Sequence, residues 1–187
     1  TVNGGTINVT SNSDAFHASQ ALNINGGELT IKTTGSASNT SDLSAKGLKA
    51  GKTDDTTGTT VTGVININGG HIDADTTDDC VHANGNVYLN GGVLELNSGD
   101  DAVHSDADLT IGQGSNTFDD LTVIVEAGYE GMEATNITQN SGTVIVNTTD
   151  DGYNAAGGAD GSGNTNPGGW GGGWGGTTGG NYSLTIN

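Results

Sequence analysis

The chain has 187 residues, of which 34 are Gly and 31% are hydrophobic; four Lys and no Arg stand against 22 acids, for a formal net charge of −18. That balance excludes a nucleic-acid binder working by phosphate neutralisation, and no stretch approaches the roughly 18 unbroken apolar residues of a membrane span. The single cysteine, Cys80, also excludes a disulfide-held scaffold. Low hydrophobicity with high charge borders on the composition of disordered chains, yet the Val, Ile and Leu present are regularly spaced.

The spacing is that of a repeat. Asn-Gly-Gly begins at Asn3, Asn25, Asn68 and Asn90, with degenerate copies at Gly112 and Asn140, so the unit is about 22 residues with some copies enlarged. In the first unit Ile7 and Val9 alternate with polar residues as a half-buried strand. Asp14 follows, then small Ala15 and apolar Phe16, and Leu22-Asn23-Ile24-Asn25 closes the unit. The second unit carries Leu29 and Ile31, insertions over 33–44 and 51–62, Lys46 where the acid is expected, and Ile65-Asn66-Ile67-Asn68. Ile72, Ala74, Asp79, Cys80, Val81 and Val87-Tyr88-Leu89-Asn90 make the third. Leu94, Leu96 and Asp101 mark the fourth, Val123, Val125 and Glu130 the fifth, and Val144, Val146 and Asp151 the sixth. A Gly-rich loop at 157–180 interrupts that last unit before it resumes near Tyr182.

Three short strands per unit, divided by Gly, Asn and Asp turns, leave no room for the helix of a leucine-rich repeat. They predict an all-β fold, a single-stranded parallel β-helix (solenoid) of about six coils occupying 1–187 as one domain, with equivalent strands stacked roughly 4.8 Å apart. Thin apolar columns then suffice for a core. Asn25, Asn68, Asn90 and Asn140 read as a ladder of stacked turn amides, with the left-handed tolerance of Asn supplying the bend. Neither end carries a capping segment, so the stretch is expected to be trimmed from a longer chain, and the absence of a leader carries no weight.

Stacking has a consequence for the acids. Asp79, Asp101, Glu130 and Asp151 should lie one above another, three of them beside a second acid, Asp78, Asp100 or Asp150. Carboxylates brought within about 5 Å of one another resist ionisation unless a cation lies between them. With four Lys and no Arg, side chains are not expected to supply it, whereas Ca²⁺, which takes six to eight oxygens from carboxylates and turn carbonyls, can. Two or three ions are expected in the gaps; a solvated acidic edge is the plain alternative. His17, His82 and His104 follow the acids in a column continued by Lys49, Glu133 and Asn154. That column reads as an exposed polar row or an outer shell to calcium, with transition-metal binding the sharper option. Cys80 reads as packing, and Asp106 and Asp108 as solvated charge in a turn. Trp170 and Trp174, on the Gly-rich loop, are suited to stacking on sugar rings or to capping an open end. Tyr88, in the outward column with Asn23, Asn66, Thr110, Thr138 and Thr185, is a third aromatic candidate.

The segments Thr77-Asp78-Asp79-Cys80-Val81-His82-Ala83 and Gly99-Asp100-Asp101-Ala102-Val103-His104-Ser105, framed by Asn-Gly-Gly strands, carry a family resemblance. The chain resembles the carbohydrate-binding domain-containing proteins of cellulose-degrading anaerobic bacteria, which are secreted or surface right-handed parallel β-helices related in fold to polysaccharide lyases. The resemblance implies an extracellular or cell-surface setting, calcium in the turns, and binding of plant cell-wall polysaccharide, cellulose or pectin (polygalacturonate); the module is expected to be non-catalytic and monomeric. Asp78/Asp79, Asp100/Asp101 and Asp150/Asp151 match the motif; Lys46 and Glu130 depart from it. The alternative is a calcium-dependent pectate lyase, whose base would be Lys46 or Lys49, the only lysines in the turn columns.

Overall fold

The computed structural model describes residues 1–35, 45–53, 57–113, 121–156 and 181–187. Most of the 33–44 insertion and the whole 157–180 loop, with Trp170 and Trp174, lie outside them. The described residues form strands and turns with no helix, so none is long and apolar enough to cross a membrane.

Each repeat contributes its strands in the same order. The first supplies β1 (Thr6–Ser11), β2 (Phe16–Ala18) and β3 (Ala21–Ile24). The second supplies β4 (Glu28–Thr33), β5 (Leu48–Ala50), a hairpin of β6 (Lys52–Thr53) and β7 (Thr60–Val61), and β8 (Val64–Ile67). Strands β9 (His71–Asp75), β10 (Val81–Ala83) and β11 (Val87–Leu89) make up the third. In the fourth and fifth the last two strands run together, giving β12 (Gly92–Asn97) with β13 (Val103–Ile111), then β14 (Leu121–Ala127) with β15 (Met132–Gln139). The sixth has β16 (Thr143–Val146), β17 (Tyr153–Asn154) and β18 (Ser183–Ile186).

Every pairing except the β6–β7 hairpin is parallel, and each joins one repeat to the next. One sheet is β1-β4-β9-β12-β14-β16. In it Ile7, Leu29, Ile72, Leu94, Val123 and Val144 stand in register, as the alternation predicts. The larger sheet holds the remaining strands other than the β6–β7 pair, because β13 and β15 each pair in both of the other stacks. Its ends, β2 and β3, come back alongside one another, so it is nearly closed. The core lies between the stacks as columns of like residues: Leu29, Ile31, Ile72, Leu94 and Leu96 from one, Ile24, Ile65, Ile67, Leu89, Leu109 and Ile111 from another. Within the insertion at 51–62, Lys52–Thr53 pairs antiparallel with Thr60–Val61 while the flanking strands keep their partners.

The turns repeat as faithfully as the strands. Asn25 Nδ2 donates to Asn3 Oδ1, Asn68 to Asn25 and Asn90 to Asn68, each at 2.8 Å, and Asn187 donates to Asn140 at 2.9 Å. The left-handed bend falls on the second glycine rather than on Asn: φ is 98° at Gly5, 113° at Gly27 and 100° at both Gly70 and Gly92. The close approach of successive turns also demands it, since a Cβ on Gly92 would come within 2.6 Å of the Gly70 carbonyl oxygen. Gly92→Ala should therefore lower stability by about 1–3 kcal/mol, seen as a lower urea midpoint at unchanged m. Gly58→Ala, at φ 67° but with nothing within 4 Å, should cost about 1 kcal/mol; equal losses at the two sites would contradict the stacking account.

Candidate functional site

The acid column is assembled by the backbone. Ala15 N donates to Lys46 O, Gly47 N to Asp79 O, Cys80 N to Asp101 O, Ala102 N to Glu130 O and Gly131 N to Asp151 O, at 2.9–3.1 Å. All six positions read from the sequence therefore lie in one ladder, from Asp14 to Asp151. The small residues between the acids and β5, β10, β13 and β15 are buried, Cys80 and Ala102 fully. Burial pushes the Cys80 thiol up to about 12, which suits a packing residue.

The expectation that no side chain could supply a cation is overturned. Lys46 is 4% exposed, and its ammonium donates to Asp78 Oδ1 at 3.0 Å and to Asp79 Oδ2 at 2.6 Å. The second repeat, with Lys46 where the others have an acid, thus places a buried cation against the paired aspartates of the third. Clamped there, Lys46 does not reach a polymer at the surface, which removes it as the base of a lyase. Lys49 lies 3.2 Å from Asp14 Oδ2, with His17 on the same oxygen at 4.0 Å.

The histidine column is exposed at His17 but not at His82 and His104. His104 is fully buried and His82 nearly so, with side chains 0% and 12% exposed, and their rings stack at 4.7 Å between centroids. Each reaches back to the acid three residues earlier: His82 Nδ1 is 2.7 Å from Asp79 Oδ2, and His104 Nδ1 is 2.9 Å from Asp101 Oδ2. His104 also meets Glu133 Oε2 at 2.9 Å and, through Nε2, Asp106 Oδ1 at 3.0 Å. Asp106, which reads from the sequence as solvated charge, and Glu133 are therefore parts of the cluster. The clue lay in the register, which puts Glu133 beside His104.

These contacts set opposite electrostatic fates along the column. Burial alone would raise the Asp79 carboxyl, but the Lys46 ammonium and the His82 hydrogen bond outweigh it and hold it well below the usual range. Asp101 has no lysine, and burial, with Asp79 and Glu133 nearby, pushes it to about 7 despite His104. Glu130 is likewise raised to about 7 by burial and by Asp101, Asp150 and Asp151, although Asn154 donates to it at 2.8 Å. Burial lowers His82. It would lower His104 too, but the three surrounding carboxylates carry it well above 6.5.

Three groupings bring ligand atoms within 4.8 Å of one another: Asp78, Asp79 and Asp100; Asp79, His82 and His104; and Asp101, His104 and Glu133. Glu130, Asp150 and Asp151 continue the ladder without joining such a group among the described residues, the last two exposed. Tyr88 is half-buried, its hydroxyl accepting from Asn86 Nδ2 at 2.8 Å.

A family model described as carbohydrate-binding domain-containing protein matches residues 1–102. The chain belongs to that family. The match takes in the ladder from Asp14 to Asp101 and supports a non-catalytic, carbohydrate-binding role with a polysaccharide partner. Neither a curated protein nor a solved structure matches the chain.

Two outcomes follow for the metal-free protein. Lys46→Met strips the cation from two buried carboxylates and should cost about 3–5 kcal/mol, read by urea unfolding in chelator. In pH, Asp101 and Glu130 bind protons in the fold that the unfolded chain, at 3.8 and 4.5, has released. Their contribution is present below those values and is lost as pH rises through about 7. His104 acts in the same direction, its contribution present below 6.5 and lost as pH rises through its raised folded value. Asp79 opposes, its contribution being present above 3.8 and lost as pH falls below that. The melting temperature in chelator should peak between these limits; a value still climbing above pH 7 would contradict the assignment.

Proposed function

We propose that the protein is an extracellular, non-catalytic module that binds plant cell-wall polysaccharide and carries calcium in its carboxylate ladder. Parallel pairing of each repeat on the next, with the strong right-handed preference of parallel crossovers, supports a single right-handed β-helix solenoid as its frame. The observation that carries the reading is the buried grouping of Asp78, Asp79 and Asp100, in a chain of the carbohydrate-binding family.

The donor set fits calcium. All three groups offer hard oxygens, the kind Ca²⁺ takes in sixes to eights, and Asp78 Oδ2 is buried with no hydrogen-bond partner. Lys46 neutralises the opposite side of the pair, through Asp78 Oδ1 and Asp79 Oδ2. Further along, Asp101, Glu130, Asp150 and Asp151 accumulate like charge, and no Lys or His among the described residues pairs with Glu130, Asp150 or Asp151. That end of the ladder is where a second and a third ion belong. Each ion makes the working protein two charges less negative.

The sugar is held elsewhere, by Tyr88 in its outward column and by Trp170 and Trp174, whose flat rings suit the apolar faces of pyranoses. Cellulose is neutral and needs stacking and hydrogen bonding alone. Polygalacturonate meets a protein of charge −18 and needs Ca²⁺ as a bridge.

Chelator should therefore lower the melting temperature and abolish retention on polygalacturonate while sparing retention on cellulose as long as the fold survives. An unmoved melting temperature would sink the calcium reading. Equal loss of both polymers from a still-folded protein would sink the bridging idea.

A further inference from the structure

We infer that Asp101, His104 and Glu133 form a second metal site, one that takes a divalent transition metal of the zinc class rather than calcium. It goes beyond the calcium reading, resting on an imidazole nitrogen and on an outer carboxylate that the calcium ladder does not use.

His104 Nδ1 lies 2.9 Å from Asp101 Oδ2 and also 2.9 Å from Glu133 Oε2, but a ring nitrogen carries at most one proton. It can satisfy one of the two oxygens, and Glu133 Oε2 has no aligned hydrogen bond. Asp101 Oδ1, on a side chain with no solvent exposure, has no hydrogen-bond partner either. Asp101 Oδ2 and Glu133 Oε2 thus converge on one nitrogen that can serve only one of them, while Asp101 Oδ1 beside them stays buried and unpartnered. An ion among the three donors would take Asp101 Oδ2, Glu133 Oε2 and the ring nitrogen together, with no oxygen left competing for one proton.

The far side of the ring points the same way. If Nδ1 binds a metal, the proton must sit on Nε2, and there Asp106 Oδ1 lies 3.0 Å away to accept it. A carboxylate on the remote N–H of a metal-binding imidazole fixes the tautomer and strengthens the ligand. His82 is the contrast: its Nδ1 faces Asp79, whose Oδ2 the Lys46 ammonium already holds at 2.6 Å. That oxygen is thereby taken from any ion His82 could share, whereas Asp78 Oδ2, on the far side of the pair, is left for calcium. At His104 no lysine intervenes, and the sum of Asp101, Glu133 and Asp106 is strongly negative.

The donor types select the metal. Calcium takes oxygen ligands, whereas one imidazole with two carboxylates suits zinc and its neighbours. The 2.9 Å separations are hydrogen-bond distances, and a tetrahedral ion bound at roughly 2.0–2.2 Å would spread the same donors to about 3.4 Å, a shift that side-chain rotation supplies. Three protein ligands leave a fourth position for water or for the free Asp101 oxygen.

The test uses the full chain saturated with calcium, so that failure of the calcium reading does not enter. Co²⁺ serves as the optical probe and Zn²⁺ as its competitor. One equivalent of Co²⁺ should give the intense visible bands of a four- or five-coordinate ion, displaced by Zn²⁺ and not by excess Ca²⁺. Asp106→Asn, at a side chain 39% exposed, keeps an amide oxygen to accept from Nε2 and should leave the protein folded in calcium, checked by circular dichroism, yet weaken Zn²⁺ about 10–100-fold. His104→Gln should abolish the Co²⁺ spectrum; should that variant fail to fold, the Asp106→Asn arm decides by itself. Overturning results are a Co²⁺ spectrum that stays that of the aqueous ion, displacement of Co²⁺ by Ca²⁺, or Zn²⁺ affinity indifferent to Asp106→Asn. In each of those cases His104 is an internal imidazolium that neutralises its three carboxylates without a metal.

Discussion

Parallel pairing in register is the constraint on which the structure depends, because it sets every residue over its counterpart one repeat away, roughly 4.8 Å distant. What that does depends on the side chain. Leucine over isoleucine makes a core column with no broad globular interior. Asparagine over asparagine makes a hydrogen bond, since an amide is both donor and acceptor and each can serve the next. Aspartate over aspartate has acceptors only, and stacking sets like charges together in a place that water barely reaches.

The chain meets this difficulty in a graded way. At the third repeat the cation is internal, because the second repeat presents Lys46 where the others present an acid. At the fourth repeat it is partly internal, because His104 stands among three carboxylates. At the fifth and sixth there is none among the described residues, and burial and mutual repulsion push Glu130 up to about 7. The column thus runs from a neutralised end to an unneutralised one. If ions bind as proposed, they would complete charges that folding alone leaves uncompensated and would tie metal to fold stability.

Much of the fold was legible in residue order. The Asn-Gly-Gly spacing gives the period, the alternation after it identifies the paired strands, and the acid five residues beyond names the ladder position by position. Those inferences needed only that equivalent residues stack, and the hydrogen bonds from Ala15 to Asp151 follow them. The side-chain chemistry was less legible. Lys46 looked like a break in the ladder and proved to be its cation; His104 looked like a surface residue and proved fully buried; Asp106 looked like solvent-facing charge and proved to be a partner of His104.

By itself the sequence determined the period, the register and the column each residue occupies, because a parallel ladder transmits position from repeat to repeat and leaves no other choice of neighbour along the stack. Only the tertiary structure decided which way the side chains at those positions turn. A lysine six carbons long can point outward or lie under the next turn, and a histidine can face solvent or fold back on the acid three residues earlier. That choice rests on the energy of burying charge among particular neighbours, a property of three-dimensional surroundings that no spacing records.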